Sequence, residues 1–387
     1  MRVLHVVTLH TPTHAFGGPT RVAFHLCRGL RERDVRATLV ALADDFPTGP
    51  LPRSVDGVPV RLFRARHVLP RFEVSGITSP ALLARAMAYV RSADVVHVHL
   101  MRDLITLPMA LLALRAGTPL VLQTHGMIDP TPHRVARLVD HLGVRRVLRR
   151  ADAVLHLTEQ ERDATAAVLA PHPIAPQHRL VNGVPPQPHR RPLPPGPPTV
   201  LYLARIQAGK RPDDFVRAMP AVLARRPDTR FVLAGPDTGA LPDTLALADA
   251  LGVRASLDHP GALDGPAVLD RLKAATALVL PSTQDAFPLS VLEALSVGTP
   301  VVVRAGTGLA PDIARAAAGR VAASADAIPD AILGLLDPAA NDAASRAGRR
   351  LVEDHFTLPR VIDRLLTLYT GVTGAAHREG RRPWPSR

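Results

Sequence analysis

Short apolar runs alternate with amphipathic stretches from the first residue to about residue 370. Residues 2–9 form an opening apolar run and predict a buried strand. In residues 20–31, Val22, Ala23, Leu26, Cys27 and Leu30 fall on one face at helical spacing. The alternation continues with strand patterns at 35–42, 58–63, 94–100, 119–123 and 151–157. Helical patterns lie between them at 80–92, 104–116 and 133–150. A second series follows, with strands at 198–203, 231–235, 277–280 and 299–303 and helices near 244–252, 264–275, 290–296 and 351–368. Strand–helix alternation of this kind predicts parallel sheets covered by helices. In the strand at 94–100, His97 and His99 alternate with valines and read most simply as packed strand histidines.

The stretch 185–198 interrupts the rhythm with eight prolines in fourteen positions. Proline fixes φ and lacks a backbone donor, so this stretch predicts an extended, semi-rigid linker rather than a helix or central strand. It divides the chain into a first domain at 1–184 and a second at 199–350, as a length of 387 residues suggests. Residues 371–387 predict a disordered basic tail.

Composition narrows the function classes. A hydrophobic content of 47% is enough for two full cores, while 3% aromatics leaves few platforms on which single-stranded nucleic acid would stack. One cysteine, Cys27, excludes a disulfide framework and a thiolate metal site, and fits a reducing, cytoplasmic compartment. The first apolar run is too short for a secretory signal, and no run approaches the roughly 20 residues of a membrane span. The net charge of +13 is concentrated in the first domain and the tail. Nucleic acid and anionic membrane are the partners such a field attracts. No nucleic-acid-binding signature accompanies it, so nucleic acid is set aside. An anionic membrane surface then stands beside an ordinary solvated face. Arg61, Arg64, Arg66 and Arg71, interleaved with Leu62, Phe63, Leu69 and Phe72, fit either.

Candidate chemistry gathers around residues 281–296. The apolar run 277–280 ends at Pro281, a polar loop carries Asp285, and a helix begins at Ser290 with Glu293 one turn in. A helix start offers free N–H groups and a positive dipole end to an anion. Carboxylates accept hydrogen bonds from hydroxyls. A ligand that suits both is a phosphate carrying sugars. Arg205 and Lys210 follow the strand at 198–203, where a planar guanidinium and a compact ammonium both suit phosphate. Gly17 and Gly18 follow the first strand, where missing side chains let backbone approach a ligand. His125, released by Gly126 at the end of the strand 119–123, points toward the crevice where α/β sheets bind ligands.

Asp285-x7-Glu293, with Phe287, Pro288, Leu289 and Ser290 inside it, resembles the E-x7-E element of the retaining glycosyltransferases of family 4. The order of Gly17-Gly18, His125-Gly126, Asn182-Gly183-Val184 and Arg205/Lys210 is similar to theirs as well, over residues 1–370. Asp285 stands for the usual Glu, Ala286 and Ala204 for usual glycines, and Arg211 for the last Gly of the G-R-L-x-x-x-K-G pattern. The resemblance implies an α/β GT-B fold: two doubly wound Rossmann-like domains facing an inter-domain cleft, with a last helix at 351–370 crossing back to the first domain. It implies a metal-independent enzyme with no cofactor that uses a nucleoside-diphosphate sugar as co-substrate. A hexose-type sugar would pass, with retention, to a glycan, glycolipid, lipid-linked or small-molecule acceptor. By the same resemblance Arg205 and Lys210 hold the diphosphate, His125 and Asp285 the donor sugar, and Glu293 the ribose. Gly17, Gly18, Phe287, Pro288, Leu289 and Ser290 complete the donor site. A sugar-nucleotide 2-epimerase on the same fold and a non-catalytic sugar-nucleotide-binding relative remain as rivals.

Overall fold

The computed structural model describes residues 1–12, 18–187, 196–263 and 265–378, the last four by backbone alone. The chain forms two compact units, Met1–Gly183 with Leu358–Arg387, and Val184–Thr357. Gly17, Asp264 and most of the proline-rich stretch lie outside the described residues.

In the first unit, strands β1 (Arg2–His10), β2 (Arg36–Ala43), β3 (Ser54–Val55) and β4 (Val58–Arg64) lead to a small ribbon, β5 (Arg66–His67) with β6 (Ile77–Thr78). Strands β7 (Val95–His99), β8 (Leu120–Gln123), β9 (Ala153–His156) and β10 (Gln177–Arg179) follow. The main sheet runs β10-β9-β8-β7-β1-β2-β4-β3 and is parallel except for β3 against β4. Helices α1 (Gly18–Arg31), α2 (Pro80–Ser92), α3 (Thr106–Ala116), α4 (Arg134–Val139), α5 (Arg145–Arg150) and α6 (Glu159–Leu169) connect it. Side chains alternate between the faces of a strand. Leu4, Val6, Val96, Val98, Leu120 and Leu122 enter one apolar core with Leu82, Ala86, Met109 and Leu148. The alternate positions His5, His97, His99 and Gln123 are buried too, so that face of the sheet centre is polar.

The second unit repeats the plan. Strands β11 (Thr199–Leu203), β12 (Arg230–Ala234), β13 (Leu257–Gly261), β14 (Ala277–Leu280), β15 (Val301–Arg304) and β16 (Gly319–Ala322) form a wholly parallel sheet in the order β13-β12-β11-β14-β15-β16. Its helices are α7 (Pro212–Arg225), α8 (Leu241–Ala250), α9 (Gly265–Ala274), α10 (Leu289–Ser296), α11 (Ala310–Ala316), α12 (Ile328–Leu336) and α13 (Pro338–His355). The strand order reverses between β11 and β14. Loops at the carboxyl ends of these two strands therefore diverge and leave a crevice, the place where doubly wound sheets bind ligands.

Two expectations about the chain end need correction. The single late helix expected over 351–370 is two helices, because α13 ends at His355 and a new helix, α14 (Leu358–Arg378), starts after Phe356 and Thr357. That helix runs past residue 371, where the disordered tail was expected to begin; residues 379–387 lie outside the described residues. α14 belongs to the first unit and packs on α1. Close approach is possible because two contact positions are glycines. A Cβ on Gly29 would sit 2.6 Å from Ile362, and one on Gly183 would sit 2.8 Å from the Leu358 backbone. Arg33 reaches Asp363 at 2.8 Å, and Tyr369 is fully buried.

Candidate active site

In the second unit the two loops beside the strand-order reversal are drawn together. The loop after β11 carries Arg205 and Lys210, and the loop after β14 carries Asp285. Lys210 Nζ donates to Asp285 Oδ2. Ser282 Oγ donates to the Gly209 carbonyl at 3.1 Å, tying the same loops a second time. Tyr202, buried at the end of β11, donates to the Arg205 carbonyl at 3.1 Å. Burial pushes its hydroxyl far above the ordinary phenol range, and the charges of Asp213, Arg205 and Asp285 all reach it. Arg205, Lys210 and Asp285 therefore cluster around one strand end.

Helix α10 begins just past this cluster. Its N-cap position is Pro288, which supplies no side-chain hydrogen bond to the first N–H groups. Phe287 and Leu289 are buried on either side of Pro288, and Glu293 is buried one turn in. Ser290 is half-buried. The main chain of Asp285 bridges to Thr307, and its carbonyl accepts from Gly308 N at 2.9 Å, which anchors the loop to the turn after β15. Gly306 is required there, since a Cβ would meet the Thr283 carbonyl oxygen at 2.2 Å.

Sequence reasoning missed the ion cluster that carries the Lys210 loop. Asp214 is 3% exposed and accepts from Arg211 Nη2 at 2.8 Å and Arg304 Nη1 at 3.4 Å. Arg304, at the end of β15, thereby acquires a place. Arg211 adopts a left-handed conformation, φ 54°, at the position where a glycine would be expected. The guanidinium's hold on Asp214 keeps the turn in that conformation.

In the first unit the turn Thr124-His125-Gly126 follows β8. His125 and Gly126 both have positive φ, 51° and 74°. Consecutive left-handed residues are uncommon, and histidine tolerates the region better than most non-glycine residues. Glu161 of α6 holds the turn. Its buried carboxylate accepts from Thr124 Oγ1 at 2.6 Å, Gly126 N at 2.7 Å and Leu157 N at 2.7 Å. The spacing Thr158-x-x-Glu161 reads as a helix cap. Thr158 does accept from Glu161 N at 3.1 Å, but the Glu161 side chain serves the histidine turn. Nothing in the sequence pairs Glu161 with Gly126.

His125 Nε2 lies 2.7 Å from His99 Nδ1. Burial drops the His125 ring to a pKa of about 3, so it is neutral at physiological pH. Gly18 opens α1, and a Cβ there would meet nothing within 4 Å. Gly17, its expected companion, lies outside the described residues. Among the described residues no helix is long and apolar enough to cross a membrane.

The family model described as Glycosyl transferases group 1 matches residues 185–350, and that of the Glycosyl transferase 4-like domain matches residues 17–183. A D-inositol 3-phosphate glycosyltransferase of Nocardioides sp. is 30% identical over 359 residues, covering 79% of this chain and 74% of that one. The chain belongs to the group 1 glycosyltransferases. Its fold is that of the solved sucrose-phosphate synthase from Thermosynechococcus elongatus, at a TM-score of 0.77 and 18% identity over 97% of this chain and 100% of that chain. Anabaena Alr3699/HepE, solved in complex with UDP and glucose, is similar in fold at a TM-score of 0.74 and 14% identity, covering 96% of this chain and 100% of that chain. The α/β fold of two doubly wound domains, expected from the sequence, is the one observed. As a group 1 glycosyltransferase the enzyme takes its sugar from a nucleotide-sugar donor.

Proposed function

We propose that this glycosyltransferase moves a hexose-type sugar from a nucleoside-diphosphate sugar to a glycan, glycolipid or lipid-linked acceptor, with retention at the anomeric carbon and without a metal ion. The observation that carries the proposal is the pairing of Lys210 with Asp285 across the β11/β14 reversal, in front of the start of α10, whose N-cap Pro288 supplies no side-chain hydrogen bond. A pyrophosphate entering there meets an ammonium, a guanidinium and free N–H groups. Lys210 exchanges Asp285 for a phosphate oxygen, and the freed carboxylate accepts hydrogen bonds from donor-sugar hydroxyls. Glu293 takes the ribose hydroxyls and His125 a sugar hydroxyl.

In the reaction the bond from the anomeric carbon to the diphosphate oxygen breaks, and its electron pair stays on the phosphate. Arg205, Lys210 and the α10 dipole stabilise that developing charge. The acceptor oxygen bonds to the anomeric carbon on the face the diphosphate leaves, and its hydrogen passes to the departing phosphate oxygen. Fold likeness to a protein solved with UDP makes UDP-sugars the first donors to try.

A second surface supports an acceptor at an anionic membrane, facing the cytoplasm. Between α4 and α5 the helix widens into a π-turn at Asp140–Val144. Val135, Leu138 and Leu142 are 52%, 55% and 68% exposed along this stretch. Arg145, Arg146, Arg149 and Arg150, with His141 and His172, line an adjoining cavity of about 350 Å³. Apolar side chains beside a dense row of guanidinium groups match the boundary between lipid headgroups and acyl chains.

The test is a panel of nucleotide sugars, each with and without an extract of lipid-linked glycans, in buffer containing a chelator. Nucleoside diphosphate released only when acceptor is present supports transfer. Conversion of donor alone, or release that requires added metal, overturns the proposal.

A further inference from the structure

Four histidines and one tyrosine form a continuous hydrogen-bonded chain beneath the His125 turn. His125 Nε2 is 2.7 Å from His99 Nδ1, and His99 Nε2 is 3.2 Å from His5 Nδ1. His5 Nε2 is 3.4 Å from the Tyr369 hydroxyl, which is 2.6 Å from His97 Nδ1. His5, His97 and Tyr369 are fully buried, and His99 is 1% exposed. His97 also stacks on His99 with centroids 4.8 Å apart, and His99 and His125 lie nearly coplanar, edge to edge, with centroids 5.0 Å apart. Five polar rings in a sheet core, drawn from β1, β7, α14 and the β8 turn, exceed what packing requires.

A neutral imidazole carries one hydrogen, so each ring donates through one nitrogen and accepts through the other. A linear chain of such rings has only two consistent orders, with every hydrogen pointing one way or the other. The closed end chooses between them. His97 Nε2 and Gln123 Oε1 are both buried and neither makes a hydrogen bond to another group, and the nearby Gln123 side chain favours the protonated form of His97. A buried N–H facing a carbonyl oxygen is favourable; two bare acceptors facing each other are not. His97 Nε2 therefore carries hydrogen, and its Nδ1 accepts from Tyr369. The Tyr369 oxygen then accepts from His5 Nε2, His5 Nδ1 from His99 Nε2, and His99 Nδ1 from His125 Nε2.

We propose that His99, His5 and Tyr369 are positioning residues that fix the tautomer of His125, so that this histidine meets its ligand with a bare Nδ1 and accepts a hydrogen from a ligand hydroxyl. Identifying that hydroxyl with the donor sugar rests on the function proposed above; the hydrogen order does not. A cationic, phosphate-seeking form of His125 is disfavoured by burial, which lowers the ring to about 3. A hydroxyl-bearing ligand is recognised by an acceptor, and one lacking that hydroxyl leaves the nitrogen unpaired.

The experiment is two-bond proton–nitrogen NMR on ligand-free enzyme labelled with ¹⁵N-histidine at pH 7. The His125 signal is assigned from its loss in His125→Gln. The expected result is a single tautomer with hydrogen on Nε2 at His125, His99, His5 and His97. Hydrogen on Nδ1 at His125, or an imidazolium, overturns the proposal. His99→Phe keeps a flat ring but breaks the chain, and His125 should then average between tautomers; His99→Gln serves if the Phe variant fails to fold. A His125 tautomer left unchanged by a folded His99 variant also overturns it. Because no donor is added, the outcome is independent of whether the transfer assay succeeds.

Discussion

Lys210 and Asp285 are 20% and 16% exposed at their side chains. An ion pair at this depth contributes little net stability, because desolvation offsets most of the attraction. Its value lies in holding two charges ready for ligand groups of opposite sign. Lys210→Ala is therefore expected to lower kcat/KM for a nucleotide sugar by roughly 10²- to 10³-fold. The melting temperature should move by no more than a few degrees, as calorimetry would show. A large drop in melting temperature with little change in kcat/KM would make the pair structural. These residues were legible in the sequence because each sits just past an apolar strand and precedes a helix start. Glu161 and Asp214 were not. Their partners, Gly126 and Arg304, are 35 and 90 positions away, and only the folded sheet brings them into reach.

The elements themselves were legible wherever apolar spacing was regular. The parallel sheets and nearly every central strand follow from it. What periodicity could not show is which strand face would be polar. His97 and His99 alternate with valines as any strand on an apolar core would, and only the arrival of Tyr369 from α14 explains the buried imidazoles. The break between α13 and α14 was equally hidden, since Phe356 and Leu358 are buried and continue an apolar pattern. The stretch from α4 to α5 is the opposite case, with a legible row of arginines whose exposed leucines only the structure reveals. Replacing Leu138 and Leu142 together by Glu should weaken binding to vesicles containing anionic phospholipid by roughly tenfold or more, as cosedimentation would measure. Binding to neutral vesicles should be weak for both forms. Equal binding of wild type and variant to anionic vesicles would remove this stretch as the membrane contact.

Across the whole molecule, charge that must stay absent is distributed unequally. Burial lowers His5 and His125 to about 3 and His25, with help from Arg21 and Arg28, to about 4. Burial also holds His97 and His99 well below the ordinary value. All five belong to the first unit. Folded, these rings remain neutral; unfolded, each takes up a proton as pH falls through about 6.5. The unfolded state therefore binds more protons between pH 6.5 and the folded values, and the first unit loses stability as pH falls through that window. Each of the fully buried rings His5, His97 and His99 contributes a slope of about 1.4 kcal/mol per pH unit. Above pH 6.5 both states are neutral and the effect vanishes. Acidification to about pH 4.5 should thus open the first unit while the second, which contains none of these histidines, keeps its fold. Because α14 covers the histidine face through Tyr369, which bonds His97 and His5, its peptides should lose protection together with β1 and β7. Pulse hydrogen-exchange labelling after equilibration at each pH resolves peptides of the two units. Simultaneous loss in both, or earlier loss in residues 199–350, would show that the buried histidines do not govern acid stability. Replacing His5 by Phe should make the first unit's pH dependence shallower by the proton that ring no longer binds.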